Sequence, residues 1–244
     1  MSRTMIIFKR ELGAYFATPV AFVFIVIFLL LTGVFTFYVG GLYERNQADL
    51  EPFFRFHPWL YMLLIPAISM RLWSEERKAG TLELLMTLPI TLVEAVIGKY
   101  LAAWCFTAIA LALTFPVWLT VNYLGDPDNT VIAAGYLGSL LLAGACMAIG
   151  SCMSALTKNQ VVAFVISFVI CFAFNLSGFP IVLDLFSAWA PQAIVDVISS
   201  FSFITHFDSI LKGVVDIRDI IFFGSLIAFW LYATILAIEA KKSS

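Results

Sequence analysis

The chain has 244 residues, of which 62% are hydrophobic and only 12% charged, with a mean hydropathy of +0.99. A water-soluble domain of this length cannot hide so much apolar surface, so lipid is the solvent for much of it. The formal net charge of −2 excludes nothing as a total, and the distribution of the charges is the useful quantity.

The N-terminus, "MSRTMIIFKRELGAYFATP", carries Lys9, Arg10 and Glu11 inside an amphipathic pattern. It lacks a small-residue cleavage site after a short apolar core, which argues against a removable signal peptide. The pattern predicts an interfacial helix over 1–19, with Phe8, Leu12, Tyr15 and Phe16 facing lipid or protein. A spanning helix needs ~20 mostly apolar residues. Six segments meet this: about 20–39, 53–73, 98–124, 131–156, 160–180 and 219–238. The second has the weakest signal, because Arg55, His57 and Pro58 lie at its outer end and Pro66 implies a kink. In the fourth, Gly135 and Ser139, Gly144 and Ala148, and Ser151 and Ala155 each lie four apart, a spacing that allows close helix approach. Cys105, Cys146, Cys152 and Cys171 all fall in hydrophobic segments without a C-x-x-C pair, and read as small apolar packing residues. The outer segment 181–218 mixes apolar and polar positions at helical spacing. It predicts one or two short helices at the outer membrane face, Pro191 starting one of them.

With the N-terminus inside, the inner segments hold Arg3, Lys9, Arg10, Arg71, Arg77, Lys78, Lys99, Lys158, Lys241 and Lys242. These are ten of the fourteen basic residues. The outer segments hold Arg45, Arg55, Lys212 and Arg218. This asymmetry places both termini and the segment 71–99 in the cytoplasm.

Little in the chain suggests catalysis. His206 and Asp208 could offer two metal ligands, but no third is near in sequence, and two are too few. No G-x-S-x-G elbow appears. "Gly98-Lys99" is followed by Tyr100, and position 93 is Val, so the backbone cradle of a P-loop is missing and no ATP hydrolysis is expected. A secondary transporter working without an ATPase is the alternative class. It predicts buried acids or broken helices at matching places in two halves, and no internal repeat is evident. An integral membrane enzyme would need clustered His or acid residues at one depth. Ionisable residues deep inside the spans are nearly absent in this reading.

"SEERKAGTLELLMTLPIT", residues 74–91, is the one densely charged stretch in mid-sequence. Gly80 and Thr81 are expected to begin a short helix in which Leu82, Leu85 and Met86 share one face. Glu83 supports its first turn, and Pro89 marks its stop. A helix of this size suits either a headgroup-bound loop or a groove on a soluble partner.

This segment resembles the E-x-x-x-G-T-x-E-x-L-x-x-x-P element of type-2 ABC exporter permeases. Its form is similar to the subfamily of the gliding-motility-associated and nitrous-oxide-reductase-maturation permeases. "HFDSILKGVVDIRDIIFF", residues 206–223, resembles the block before that subfamily's last span. It offers His206, Phe207, Gly213 and Asp216 as an outer-face motif. "FKRELGAYFATP" resembles the subfamily's connecting helix, so the resemblance covers essentially the whole chain. It implies an all-α integral membrane protein with six transmembrane helices, an interfacial helix, a cytoplasmic coupling helix and short outer-face helices. It also implies a non-catalytic subunit that dimerises and pairs with separate ABC ATPase subunits, which would hold the ATP and magnesium. Glu75, Glu76, Arg77, Gly80, Thr81, Leu82, Glu83, Leu84, Leu85 and Met86 would form the ATPase-coupling element. Relatives also work with a larger membrane protein bearing an extracytoplasmic domain.

Overall fold

A computed structural model describes residues 3–45, 47–82, 89–187, 191–213 and 215–242. Among these residues every regular element is helical. The first, α1 (Arg3–Phe16), lies across the start of a later helix: Ile7 is buried, and Tyr15 stacks on Phe106 with ring centroids 5.1 Å apart. Pro19, whose fixed φ suits a helix start, then opens α2 (Pro19–Val34), which runs on into a π-helical turn at Phe35–Val39. One side of α2 packs inward through Ala21, Phe24 and Phe28. Val20, Val23, Val26 and Leu30 stay exposed, the outward apolar face that lipid requires.

The expected second span, 53–73, is not one rod. It divides into α3 (Glu51–Phe54), α4 (His57–Ser69) and α5 (Arg71–Ala79). Pro58, in the first turn of α4, suits that helix start, whereas Pro66 lies inside α4 without ending it. Met70, between α4 and α5, keeps right-handed helical angles, so the chain passes from one helix to the other with little interruption. The charged "SEERKA" residues are thus helical themselves. Gly80, at φ +70°, ends α5, and helical backbone resumes at Thr81 and Leu82. Only glycine takes that left-handed turn without penalty, and its N–H caps the Glu76 carbonyl.

Next come α6 (Leu92–Ala112) and α7 (Phe115–Leu124). The start of α6 lies ahead of the expected 98 because Thr91 and Glu94 form a reciprocal capping box. The 28-residue α8 (Asn129–Leu156), capped by Asp128, is followed by α9 (Gln160–Leu176), capped by Asn159. Three short helices succeed it where one or two were expected: α10 (Pro180–Ser187), α11 (Gln192–Ser200) and α12 (Phe203–Leu211). The long α13 (Ile217–Lys242) ends the described chain.

Among the described residues four helical stretches are long and apolar enough to cross a membrane: Pro19–Val39, Leu92–Leu124, Asn129–Leu156 and Ile217–Ala240. A fifth is possible if α11 and α12, bent by 63°, count together. The chain is therefore a multi-pass membrane protein. Its hub is α8, the most apolar stretch of which is 72% buried, against 17–39% for the other three. Small residues make this possible. A Cβ on Gly144 would fall 2.9 Å from the Tyr100 hydroxyl, and one on Gly150 would collide with Ser69 of α4. The small-residue pairs anticipated in this span thus receive neighbours from the same chain. Cys146, Cys152 and Cys171 are buried free thiols and Cys105 is half-buried.

Candidate functional site

The site lies where α5 meets the C-terminal end of α8. Trp73, fully buried, donates its indole N–H to the Ser151 hydroxyl at 3.1 Å. The backbone N–H groups of Trp73 and Ser74 both donate to Ser154 Oγ at 3.0 Å. Ser154 in turn donates to the Met70 carbonyl at 2.8 Å. One hydroxyl thus accepts two hydrogen bonds and donates a third. It supplies the first turn of α5 with the partner that no side chain of α5 provides. At the other end of α5 the Arg77 guanidinium donates to the Ala155 carbonyl at 2.7 Å. This satisfies one of the orphan acceptors at the end of α8. The helix is held to the hub at both ends.

A second fastening comes from Lys99 on α6, only 4% exposed. Its ammonium lies 2.8 Å from Glu76 Oε1, 3.4 Å from Glu11 Oε2 and 3.2 Å from the Leu72 carbonyl. Its three donors therefore have three acceptors, on α5 and α1. The Trp73 ring centroid is 5.2 Å away, close enough for a cation–π contribution. Glu76 Oε2 is buried without a hydrogen-bond partner.

These contacts sort the expected coupling residues. Glu76 turns inward to Lys99. Arg77 also points inward, to α8. Glu75, Lys78, Ala79, Gly80 and Thr81 are exposed, and Leu82 is half-buried against the core. Glu83, Leu84, Leu85 and Met86 lie outside the described residues.

At the opposite end of α8 the outer-face motif forms a corner. Phe207 is fully buried. Gly213, at φ +79°, follows the end of α12, and the Asp216 carboxylate accepts the Arg218 N–H as α13 begins. His206 does not join Asp208 in a ligand pair. Its Nδ1 is 2.6 Å from Asp219 Oδ1, its Nε2 is 3.0 Å from the Ser200 carbonyl, and its ring stacks on Phe222. His206 and Phe207 lie on α12, while Gly213 and Asp216 lie on the connection from α12 to α13. Among the described residues no group of three or more His, Cys, Asp or Glu side chains could hold a metal.

Two buried polar groups escaped the sequence reading. His57 is not at a wet outer end. It lies in the core, 3.0 Å from Ser139 Oγ, which also meets the Tyr61 hydroxyl at 2.7 Å. Lys99, assigned to an inner loop, sits on the second turn of α6. The one available signal was its setting, since "VIGKYLAAW" continues in helical register around the lysine.

The chain is thus a helical membrane protein whose charged helix α5 is fixed to the end of its most buried span. Its sequence matches the ABC-2 family transporter protein family over residues 5–239, nearly the whole chain, and the chain belongs to that family. It is a permease component of an ABC transporter, and the family implies an ABC ATPase subunit as partner. No curated protein matches the chain.

Proposed function

We propose that this chain is the transmembrane subunit through which a separate ATPase drives export, or transmits force, across a bacterial inner membrane. In this reading residues 74–91 are the cytoplasmic coupling element. The observation that carries it is the double fastening of α5. Its inner side is held by Ser151, Ser154, Ala155 and Lys99, while Glu75 and Lys78 remain exposed on the other. A push on the exposed face has a stiff path into α8, the hub of the bundle.

The rest of the proposal follows the resemblance. The chain would cross six times, α4 with the start of α5 and the shorter α9 completing the set begun by the four long stretches. Both termini would be cytoplasmic, and two copies, or this chain and a similar one, would form the dimer. ATP and magnesium would sit on the ATPase. A membrane protein with an extracytoplasmic domain would complete the assembly, as in the gliding-motility and nitrous-oxide-reductase-maturation subfamily. Leu82, Leu85 and Met86 would supply apolar contact to the ATPase, at ~1.5–3 kcal/mol for each side chain fully buried. The test is co-purification. Leu85→Asp should release the ATPase subunit, or uncouple its turnover from transport, while the permease still inserts. Wild-type recovery of the ATPase with full activity would reject docking through this segment.

A further inference from the structure

A groove of about 480 Å³ runs between α1, α2, α4 and α5, within the ~300–1,000 Å³ range of small-molecule sites. Its long walls are apolar: Val23, Phe24 and Ile27 of α2 face Leu64, Ala67 and Ile68 of α4. Val23 is 55% exposed and Ile27 43%, so the groove opens along the side of α2 that meets lipid. One end is charged. Arg71 and Glu75, one turn apart on α5, line it together with Glu11, Glu76 and Lys99.

The charges at that end differ in availability. Lys99 is consumed by Glu11, Glu76 and the Leu72 carbonyl. Arg71 is exposed and takes part in no ion pair among the described residues. Lys99 and Arg10 together balance Glu11 and Glu76. Glu75 is exposed and, like Arg71, takes part in no ion pair among the described residues. The groove end therefore presents one open cation and, one turn on, one open carboxylate. An apolar trench ending in this pair matches an amphiphile whose headgroup carries both charges. The guanidinium suits a phosphate. The Glu75 carboxylate accepts from an N–H donor, which a primary ammonium has and a quaternary one lacks.

We propose that this groove seats a phospholipid of the ethanolamine type, its phosphate on Arg71, its ammonium toward Glu75, and an acyl chain between α2 and α4. An anionic glycerol headgroup would meet Glu75 with no cation of its own. A choline headgroup would offer Glu75 no hydrogen.

The test is native mass spectrometry of the full chain in detergent, titrated with dioleoyl phosphatidylethanolamine, phosphatidylcholine or phosphatidylglycerol. One ethanolamine lipid should be retained with about tenfold preference over the other two, the effect of one or two charge-assisted hydrogen bonds. Arg71→Gln should weaken retention by about tenfold. Val23→Trp, at an exposed position where folding tolerates bulk, should block the trench and abolish it. Water-soluble glycerophosphoethanolamine should fail to compete, since the trench holds the chain. Equal retention of the three lipids, retention unchanged in both variants, or full competition by the soluble headgroup would overturn the proposal.

Discussion

Replacing Lys99 with methionine keeps the length of the side chain and removes its charge. Lys99 is 4% exposed, and its two carboxylate partners, Glu11 and Glu76, have side chains 17% and 20% exposed. The variant leaves Glu76 facing an uncharged thioether, Glu11 with Arg10 alone, and the Leu72 carbonyl without its donor. Breaking a buried ion pair by removing one partner costs ~3–5 kcal/mol. Partial access of water to both carboxylates puts Lys99→Met at the lower end, about 3 kcal/mol. Glu76→Gln alone should cost less, because Lys99 keeps Glu11 and the carbonyl. In the double variant Lys99→Met/Glu76→Gln the repulsion between the acids disappears, so the losses should fail to add by about 1–3 kcal/mol. Equilibrium unfolding in mixed detergent, following the four proteins of this cycle, measures each quantity. Hydrogen exchange across 71–79 should rise in Lys99→Met and recover in part in the double variant. A single-variant loss below about 0.5 kcal/mol, the size of an ordinary surface change, or strict additivity with Glu76→Gln, would refute a shared buried node.

Gly150→Val places a branched side chain where even a Cβ collides with Ser69. It should lower stability by about 1–3 kcal/mol in the same unfolding assay, while Gly224→Ala, with no neighbour within 4 Å, should be close to neutral. Single cysteines introduced by Asn129→Cys and Lys158→Cys, at the two ends of α8, should react with an impermeant thiol reagent from opposite sides. Labelling of both from one side would sink the proposed orientation.

The long spans were legible because hydropathy measures the transfer free energy of a helix into lipid, and α2, α8 and α13 fall where that signal is strongest. The second span was read as one stretch kinked at Pro66, because the same sum cannot place breaks; the chain instead divides at Phe56 and Met70, with Pro66 inside α4. At Gly80 the composition left the direction open. A glycine before Thr81 can begin a helix or end one, and here its left-handed φ of +70° ends α5 just before helical backbone resumes at Thr81. The fastening of α5 was not legible at all. Lys99 meets Glu11 across 88 positions and Trp73 meets Ser151 across 78, and no local pattern encodes such pairs. Small residues in α8 did predict close approach, but not which helices approach. The motif at His206 was legible as a block and its chemistry was not, because the acid that pairs with it is Asp219 and not the nearer Asp208.

The length of α8 gives its smooth surface a mechanical meaning. Twenty-eight residues make a rod of roughly 42 Å at 1.5 Å per residue, longer than the ~30 Å hydrocarbon core it crosses. A rod that long amplifies rotation, and a tilt of about 10° carries one end roughly 7 Å relative to the other. Side chains of leucine size would interlock with neighbouring ridges and resist that sweep. The glycine, alanine and serine of α8 keep its relief shallow, while Ser151 and Ser154 bond it to α5. A tilt of α8 would therefore carry α5 with it. In those terms α8 would be the lever of the bundle, and Ser154, at its last turn, sits where the travel is greatest.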